Sequence, residues 1–187
     1  MRVIAGKARR IQLSVPAGKN TRPTADRIKE TLFNMIQNDI EDAAFLDIFS
    51  GSGGIGIEAA SRGARKAVLI ENDRTAITCI KENIKRTKLG EEVILLSSEV
   101  MQALRHLVHS GEKFDIVFMD PPYNKDWELK VLNFLKNGDI LADDALIIVE
   151  ASMETDVEPI LALGYTLERV KEYKTSKHIF LHLGGKG

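Results

Sequence analysis

Disulfides, membrane spans and a strong net charge are all missing from this chain of 187 residues. Its single cysteine, Cys79, has no internal partner, which excludes a disulfide-stapled secreted domain. In its helix-like surroundings, a small, buried, inert thiol is expected. No apolar run approaches the roughly 20 residues of a membrane-spanning helix. The start, Met1-Arg2-Val3-Ile4-Ala5-Gly6, lacks the apolar segment of a signal peptide, so a cytoplasmic protein is expected. With 26 basic and 27 acidic side chains the net charge is −1, and the chain as a whole is no polycation. No Gly-Lys-Ser/Thr follows its glycine cluster, which excludes a P-loop. Histidines are few. His106 and His109 lie three apart on a helix with no third ligand at usable spacing, and His178 and His182 fall on one face of the last strand. All four are expected to be structural or surface residues, and no metal site is expected. There is no Ser-His-Asp signature, internal repeat or low-complexity tract.

What charge there is lies unevenly. Residues 1–30 carry eight basic residues and two acidic ones, a net of +6, which leaves −7 for the remainder. Such a distribution suggests a basic arm on a near-neutral body, an arrangement suited to nucleic acid. The length suggests one domain with a small appendage. We assign residues 1–24 to an N-terminal basic hairpin or arm and 25–187 to the main domain. An apolar fraction of 44% is sufficient for a core.

Val3-Ile4 and Ile11-Gln12-Leu13 predict a small β-hairpin around Gly6–Arg10. After an irregular link, Pro23 disfavours helix at Arg22, and Thr24 is the expected N-cap of a helix whose apolar stripe runs from Ile28 to Ile40. Arg27 and Lys29 oppose that helix's dipole, a hint that they face an external anion. From Phe45 the pattern alternates. Strands are expected at 45–49, 66–71, 92–97, 114–119 and 145–150, each followed by a helix, at 54–62, 73–88, 99–109, 126–136 and 155–163. Continuously apolar strands of this kind read as a parallel sheet buried on both faces. Two more strand-like runs, Tyr165–Tyr173 and His178–Leu183, are joined by four residues only, which forces antiparallel pairing. The expected fold is α/β: a Rossmann-like, seven-stranded mixed sheet with a C-terminal antiparallel hairpin, plus the small N-terminal hairpin and helix.

Two motifs carry chemistry. Gly51-Ser52-Gly53-Gly54-Ile55-Gly56 fits G-x-G-x-x-G between a strand and a helix, where backbone amides can meet a ligand. Asp47 interrupts the apolar strand ahead of it, placed either to cap the loop or to face a ligand's cationic group. Glu71 ends the next strand, twenty residues after Gly51, where a carboxylate can accept both hydroxyls of a ribose. The second motif is Asp120-Pro121-Pro122-Tyr123, directly after the fourth strand. The prolines fix the backbone and remove two N–H donors, leaving the Asp120 carboxylate and the Pro121 carbonyl as a rigid pair of acceptors. Tyr123 adds a flat ring. Two acceptors beside a stacking face suit an exocyclic amine on a planar base, with its lone pair aimed at an electrophile.

These motifs together resemble class I S-adenosylmethionine-dependent amino-methyltransferases. At the front, Arg2-Val3-Ile4-Ala5-Gly6, Thr21-Arg22-Pro23-Thr24 with Asp26-Arg27, and Leu32-Phe33-Asn34 make the chain similar to the RsmD family, whose members methylate N2 of a guanine in small-subunit (16S) ribosomal RNA. The likeness covers essentially the whole chain. It implies that Ser50, Gly51 and Gly53 cradle the methionine part of S-adenosylmethionine, with Asp47 near its amino group. Glu71 holds the ribose and Asn72 lies beside the adenine. Glu99 stands where the family usually has Asp or Asn, near the adenine amine, and Val100 packs on the ring. Asp120 and Pro121 bind the target amine and Tyr123 stacks on the guanine. Arg2, Lys7, Arg9, Arg10, Arg22 and Arg27 are the expected RNA contacts, though Thr24 and Arg27 serve either cofactor or RNA. Trp127 either walls the target pocket or belongs to the core. The implied partner is ribosomal RNA or the small subunit, with no membrane and no metal, and a monomer is favoured.

Three alternatives stay open. A DNA adenine-N6 or cytosine-N4 methyltransferase would use the same Asp-Pro-Pro-Tyr, but the chain is short for a separate DNA-recognition domain. A nicotinamide-dependent oxidoreductase would use the glycine loop and leave Asp120–Tyr123 unexplained. A non-catalytic RNA-binding assembly factor has no need of Asp120 and Tyr123.

Overall fold

The computed structural model describes residues 1–16, 23–122 and 126–184. Its elements are α1 (Pro23–Met35), β1 (Ala44–Ile48), α2 (Gly54–Ser61), β2 (Lys66–Glu71), α3 (Arg74–Thr87), β3 (Val93–Ser97), α4 (Val100–His109), β4 (Phe114–Met119), α5 (Trp127–Asn137), β5 (Leu141–Ser152), α6 (Glu158–Ala162), β6 (Tyr165–Glu172) and β7 (Ser176–Leu183). The seven strands form one sheet in the order β3-β2-β1-β4-β5-β7-β6. The first five are parallel, and β7 runs antiparallel to both β5 and β6. The apolar run Ile179-Phe180-Leu181 gives β7 an interior place, while the charged, mostly exposed β6 guards the edge.

Alternation along the strands feeds two cores. Phe45, Leu69, Ile116, Phe118, Ile148 and Phe180 point to the face covered by α1, α2, α3 and the N-terminal segment. Leu46, Ile70, Val117, Met119, Val149 and Ile179 point to the face covered by α4, α5 and α6. The first face continues, at the carboxyl ends of the parallel strands, into polar side chains, and there the site lies.

Several boundaries differ from the expectation. β1 stops at Ile48, because Phe49 turns into the left-handed region (φ 64) to start the glycine loop. β5 starts at Leu141, and a register shift opposite Phe114 and Ile116 accommodates the extra residues. α6 is only five residues long. α1 opens at Pro23, so Thr24 lies inside the helix instead of capping it; proline's fixed φ suits a first helical turn. The N-terminal hairpin is one antiparallel bridge, Arg2 with Gln12, and its Val3, Ala8 and Leu13 are buried in the first core. Cys79 is only half-buried.

The expectation that Lys29 faces an external anion is overturned. Lys29 is 3% exposed, and its Nζ lies 3.0 Å from Oε2 of the fully buried Glu58 on α2. Glu58 also accepts the backbone N–H groups of Ile4 (2.8 Å) and Ala5 (3.0 Å) and the Arg62 Nε–H (2.8 Å). Lys29 Nζ also donates to the Arg2 carbonyl, 2.7 Å away. The anion that offsets this cation is internal, and the pair pins the N-terminal segment onto α1 and α2. Burial lowers the Lys29 pKa, and Glu58 opposes that shift.

Candidate active site

Loop geometry after β1 follows from its glycines. Gly51 (φ 57) and Gly53 (φ 75) take left-handed conformations that glycine tolerates without strain, and Gly53 is the N-cap of α2. The Ser50 hydroxyl donates to the Asp47 carbonyl (2.7 Å) and the Ser50 N–H to Ile70 O (3.0 Å), which ties the loop to β1 and β2. Glu71, at the end of β2, accepts the Gly51 N–H at 2.8 Å through Oε2, and the Asn72 and Asp73 N–H groups through Oε1.

Asp47 is 1% exposed. Its Oδ2 accepts the Gly56 N–H at 2.9 Å in the first turn of α2. A Cβ at position 56 would lie 2.4 Å from Leu69 Cδ1 and 3.2 Å from that Oδ2, so the close approach requires glycine. Burial raises the Asp47 carboxyl from 3.8 to about 7; the Gly56 N–H opposes the rise, and the negative charges of Asp120 and Glu71 add to it. A buried carboxylate with such negative neighbours is suited to a cationic ligand group.

Asp120 leaves β4 next to β1, and its N–H donates to Ile48 O at 3.3 Å. Pro121 is buried behind it. One cavity of about 600 Å³ collects these groups: Asp47, Ser50, Gly51, Glu71, Asp120 and Pro121 all line it. Gly53, Asn72, Glu99 and Val100 do not line it. The Glu99 carboxylate accepts the Gln102 N–H as the N-cap of α4. Tyr123 and Arg22 lie outside the described residues. Arg2, Lys7, Arg9, Arg10 and Arg27 are exposed on the N-terminal segment and α1. Of these, Arg2 pairs with Asp26 (3.8 Å) and Lys7 with Glu92 (2.9 Å). Trp127 packs edge-on against Phe49, with ring centroids 5.6 Å apart, so Phe49 and not Trp127 faces the cavity. Among the described residues, no group of three His, Cys, Asp or Glu side chains is placed to hold a metal, and no helix is long and apolar enough to cross a membrane.

Sequence reasoning gave no site role to Glu150 or His178, and both line the cavity. Glu150 ends the apolar run of β5 as Glu71 ends that of β2, so the same signal was available. His178, expected to be structural or surface, is 1% exposed and lies against Glu150, with Nε2 to Oε2 at 3.2 Å. Lys29, Ile28 and Met1 line the opposite wall, so α1 and the N-terminal segment face the sheet ends across the cavity.

Comparison with known proteins agrees with this fold. The family described as Conserved hypothetical protein 95 matches residues 1–182. The chain is 39% identical over 171 residues to Ribosomal RNA small subunit methyltransferase D of Escherichia coli K12, covering 91% of this chain and 84% of that protein. Among solved structures, the putative methyltransferase yhhF of Escherichia coli superposes with a TM-score of 0.83 at 34% identity, covering 100% of this chain and 99% of that one. A hypothetical protein of Thermus thermophilus superposes with a TM-score of 0.81 at 30% identity, covering 96% and 98%. A Rossmann-like sheet, a glycine loop with a buried carboxylate ahead of it and an Asp-Pro-Pro turn over the same cavity are joined by likeness along the whole chain: it belongs to the RsmD family of S-adenosylmethionine-dependent methyltransferases.

Proposed function

We propose that this enzyme transfers a methyl group to the exocyclic N2 of a guanine in small-subunit ribosomal RNA, in the cytoplasm, and acts as a monomer. The observation that carries the reading is the single cavity shared by Asp47 and Glu71 on one side and Asp120 and Pro121 on the other. The residues fit the cofactor: a buried carboxylate at Asp47 for an ammonium, and a second carboxylate at Glu71 for ribose hydroxyls, once it exchanges a backbone amide for them. S-Adenosylmethionine, when bound, supplies an electrophilic methyl on a sulfonium. On the other side, the Asp120 carboxylate and the Pro121 carbonyl accept the two N–H bonds of the amine and turn its lone pair toward the cofactor half. Asp120 is also the group placed to take the proton that the nitrogen loses as the N–C bond forms. The target base leaves its stack to reach the cavity, at a cost of roughly a few kcal/mol. Exposed Arg9 and Arg10, with Arg2, Lys7 and Arg27, hold phosphates, and Arg22 is assigned the same role from the sequence.

Nucleoside analysis of small-subunit RNA after incubation with tritiated methyl donor tests the substrate. Label in N2-methylguanosine is expected. Label in N6-methyladenosine or N4-methylcytosine contradicts the base assignment, and no transfer to free RNA or to small subunits contradicts the activity.

A further inference from the structure

The cavity contains a carboxylate that the methyl-transfer chemistry leaves unused. Met119, the last residue of β4, pairs with Val149 of β5, so Asp120 follows the end of β4 while Glu150 follows Val149 within β5. Strand spacing puts the paired Met119 and Val149 backbones about 4.8 Å apart. Alternation sends both side chains to the face of Phe118 and Ile148, and both line the cavity. Glu150 in turn pairs with His178 of β7.

Glu150 is held from behind. The His178 ring stands edge-on to Phe118 (5.8 Å between centroids) and to Tyr173 (4.9 Å). The Tyr173 hydroxyl lies 3.2 Å from Nδ1, and Nε2 lies 3.2 Å from Glu150 Oε2. Burial, and then the Glu150 charge, push the Tyr173 hydroxyl up to about 12. A carboxylate oxygen accepts, so the contact is made by an Nε2–H donating to Oε2. This contact to the buried His178 fixes one carboxylate oxygen and leaves Oε1 as the acceptor for a ligand. The Glu150 side chain keeps 22% exposure and lines the cavity in front of the buried His178.

Base chemistry says what such an acceptor selects. In guanine, N1–H lies beside the 2-amino group, so one edge presents adjacent donors. In adenine and cytosine the ring nitrogen beside the amine is an acceptor. A carboxylate next to the amine receptor satisfies the first and sets lone pairs against the other two. We propose that Glu150, oriented by His178, reads the N1–H of the guanine whose 2-amino group sits at Asp120 and Pro121. It is the residue that makes the pocket specific for guanine. The assignment rests on the guanine-N2 reading above and adds the group that enforces it. His178 acts through Glu150 and is a positioning residue.

The test uses 2-aminopurine, which keeps the 2-amino group but has an acceptor at N1. Small-subunit RNA carrying guanine or 2-aminopurine at the methylated position is supplied free and in reconstituted subunits. The wild-type enzyme is expected to prefer guanine by about 100-fold or more in kcat/KM, since a site built around a substrate N–H strongly rejects an analogue lacking it. Glu150→Gln, whose amide can turn an N–H toward N1, is expected to cut that preference at least tenfold with unchanged S-adenosylhomocysteine affinity. His178→Ala should cut it in the same direction by less. Equal use of both bases by the wild type overturns the assignment without needing any variant to fold. So does an unchanged preference in Glu150→Gln. Absence of methyl transfer to guanine by the wild type overturns the proposed function itself, and this assignment with it.

Discussion

Replacing Asp47 by Asn separates what its buried charge costs the fold from what it does for a ligand. The carboxyl rises from 3.8 to about 7 on folding, chiefly through burial. The folded protein therefore holds a proton that the unfolded chain has released. The protonated group's contribution is fully present below pH 3.8 and is lost as pH rises through about 7. At pH 8 the ionised group costs the ligand-free fold about 4 kcal/mol; at pH 5, where the folded group is protonated, taking up that proton costs roughly 1 to 2 kcal/mol, at ~1.36 kcal/mol per pKa unit. Asn has nearly the same shape, and its Oδ1 can still accept the Gly56 N–H. The stability gained by the variant over wild type should thus grow by about 3 kcal/mol between pH 5 and pH 8. Urea denaturation of both proteins at the two pH values reads this difference, and other titrating groups cancel in it. The same substitution should weaken S-adenosylhomocysteine binding by roughly tenfold or more, because an ammonium loses its counter-charge. Wild-type affinity should rise as pH passes 7, whereas the variant's should not. A stability difference that is equal at both pH values, or a variant less stable at pH 8, refutes the reasoning.

Gly6→Ala should destabilise the protein by about 2 kcal/mol or more in urea, because its Cβ would stand 1.7 Å from the Ser61 carbonyl oxygen at φ +80. Glu58→Ala should cost about 3–5 kcal/mol by stranding the buried Lys29, and adding Lys29→Met should recover part of it. Replacing Arg9 and Arg10 by Gln should weaken RNA binding and flatten the log–log salt dependence by about 1 to 2; an unaltered slope removes them from the interface.

The fold was legible because each of the five parallel strands announced itself as an apolar run and each connection was either long enough for a helix or too short for anything but a hairpin. Phe45–Ile48, Val68–Ile70 and Ile116–Met119 could be placed in a buried parallel sheet on that ground. Strand order was less legible. That β7, not β6, lies beside β5 depends on which of two runs is apolar enough for an interior place, and it decides that His178 meets Glu150. The glycine loop and Asp120-Pro121 could be read locally, since each is contiguous in sequence. Lys29 could not: a cation on the second turn of an amphipathic helix looks solvated until the fold brings Glu58 beneath it. Glu150 and His178 were passed over for the same reason. Their role depends on residues 28 positions apart in the chain and on adjacent strands.

The central claim is that a methyl donor held at β1 and β2 and an amine held at β4 share one cavity but depend on different residues. Single-turnover methyl transfer to small-subunit RNA by Asp120→Ala, measured beside calorimetric binding of S-adenosylhomocysteine, tests it most directly. Transfer should fall by about 10²–10³-fold or more. Cofactor affinity should stay the same or improve slightly, because removing the Asp120 charge eases ionisation of Asp47. Transfer at the wild-type rate, or a loss of cofactor affinity that accounts for the whole defect, would contradict the account.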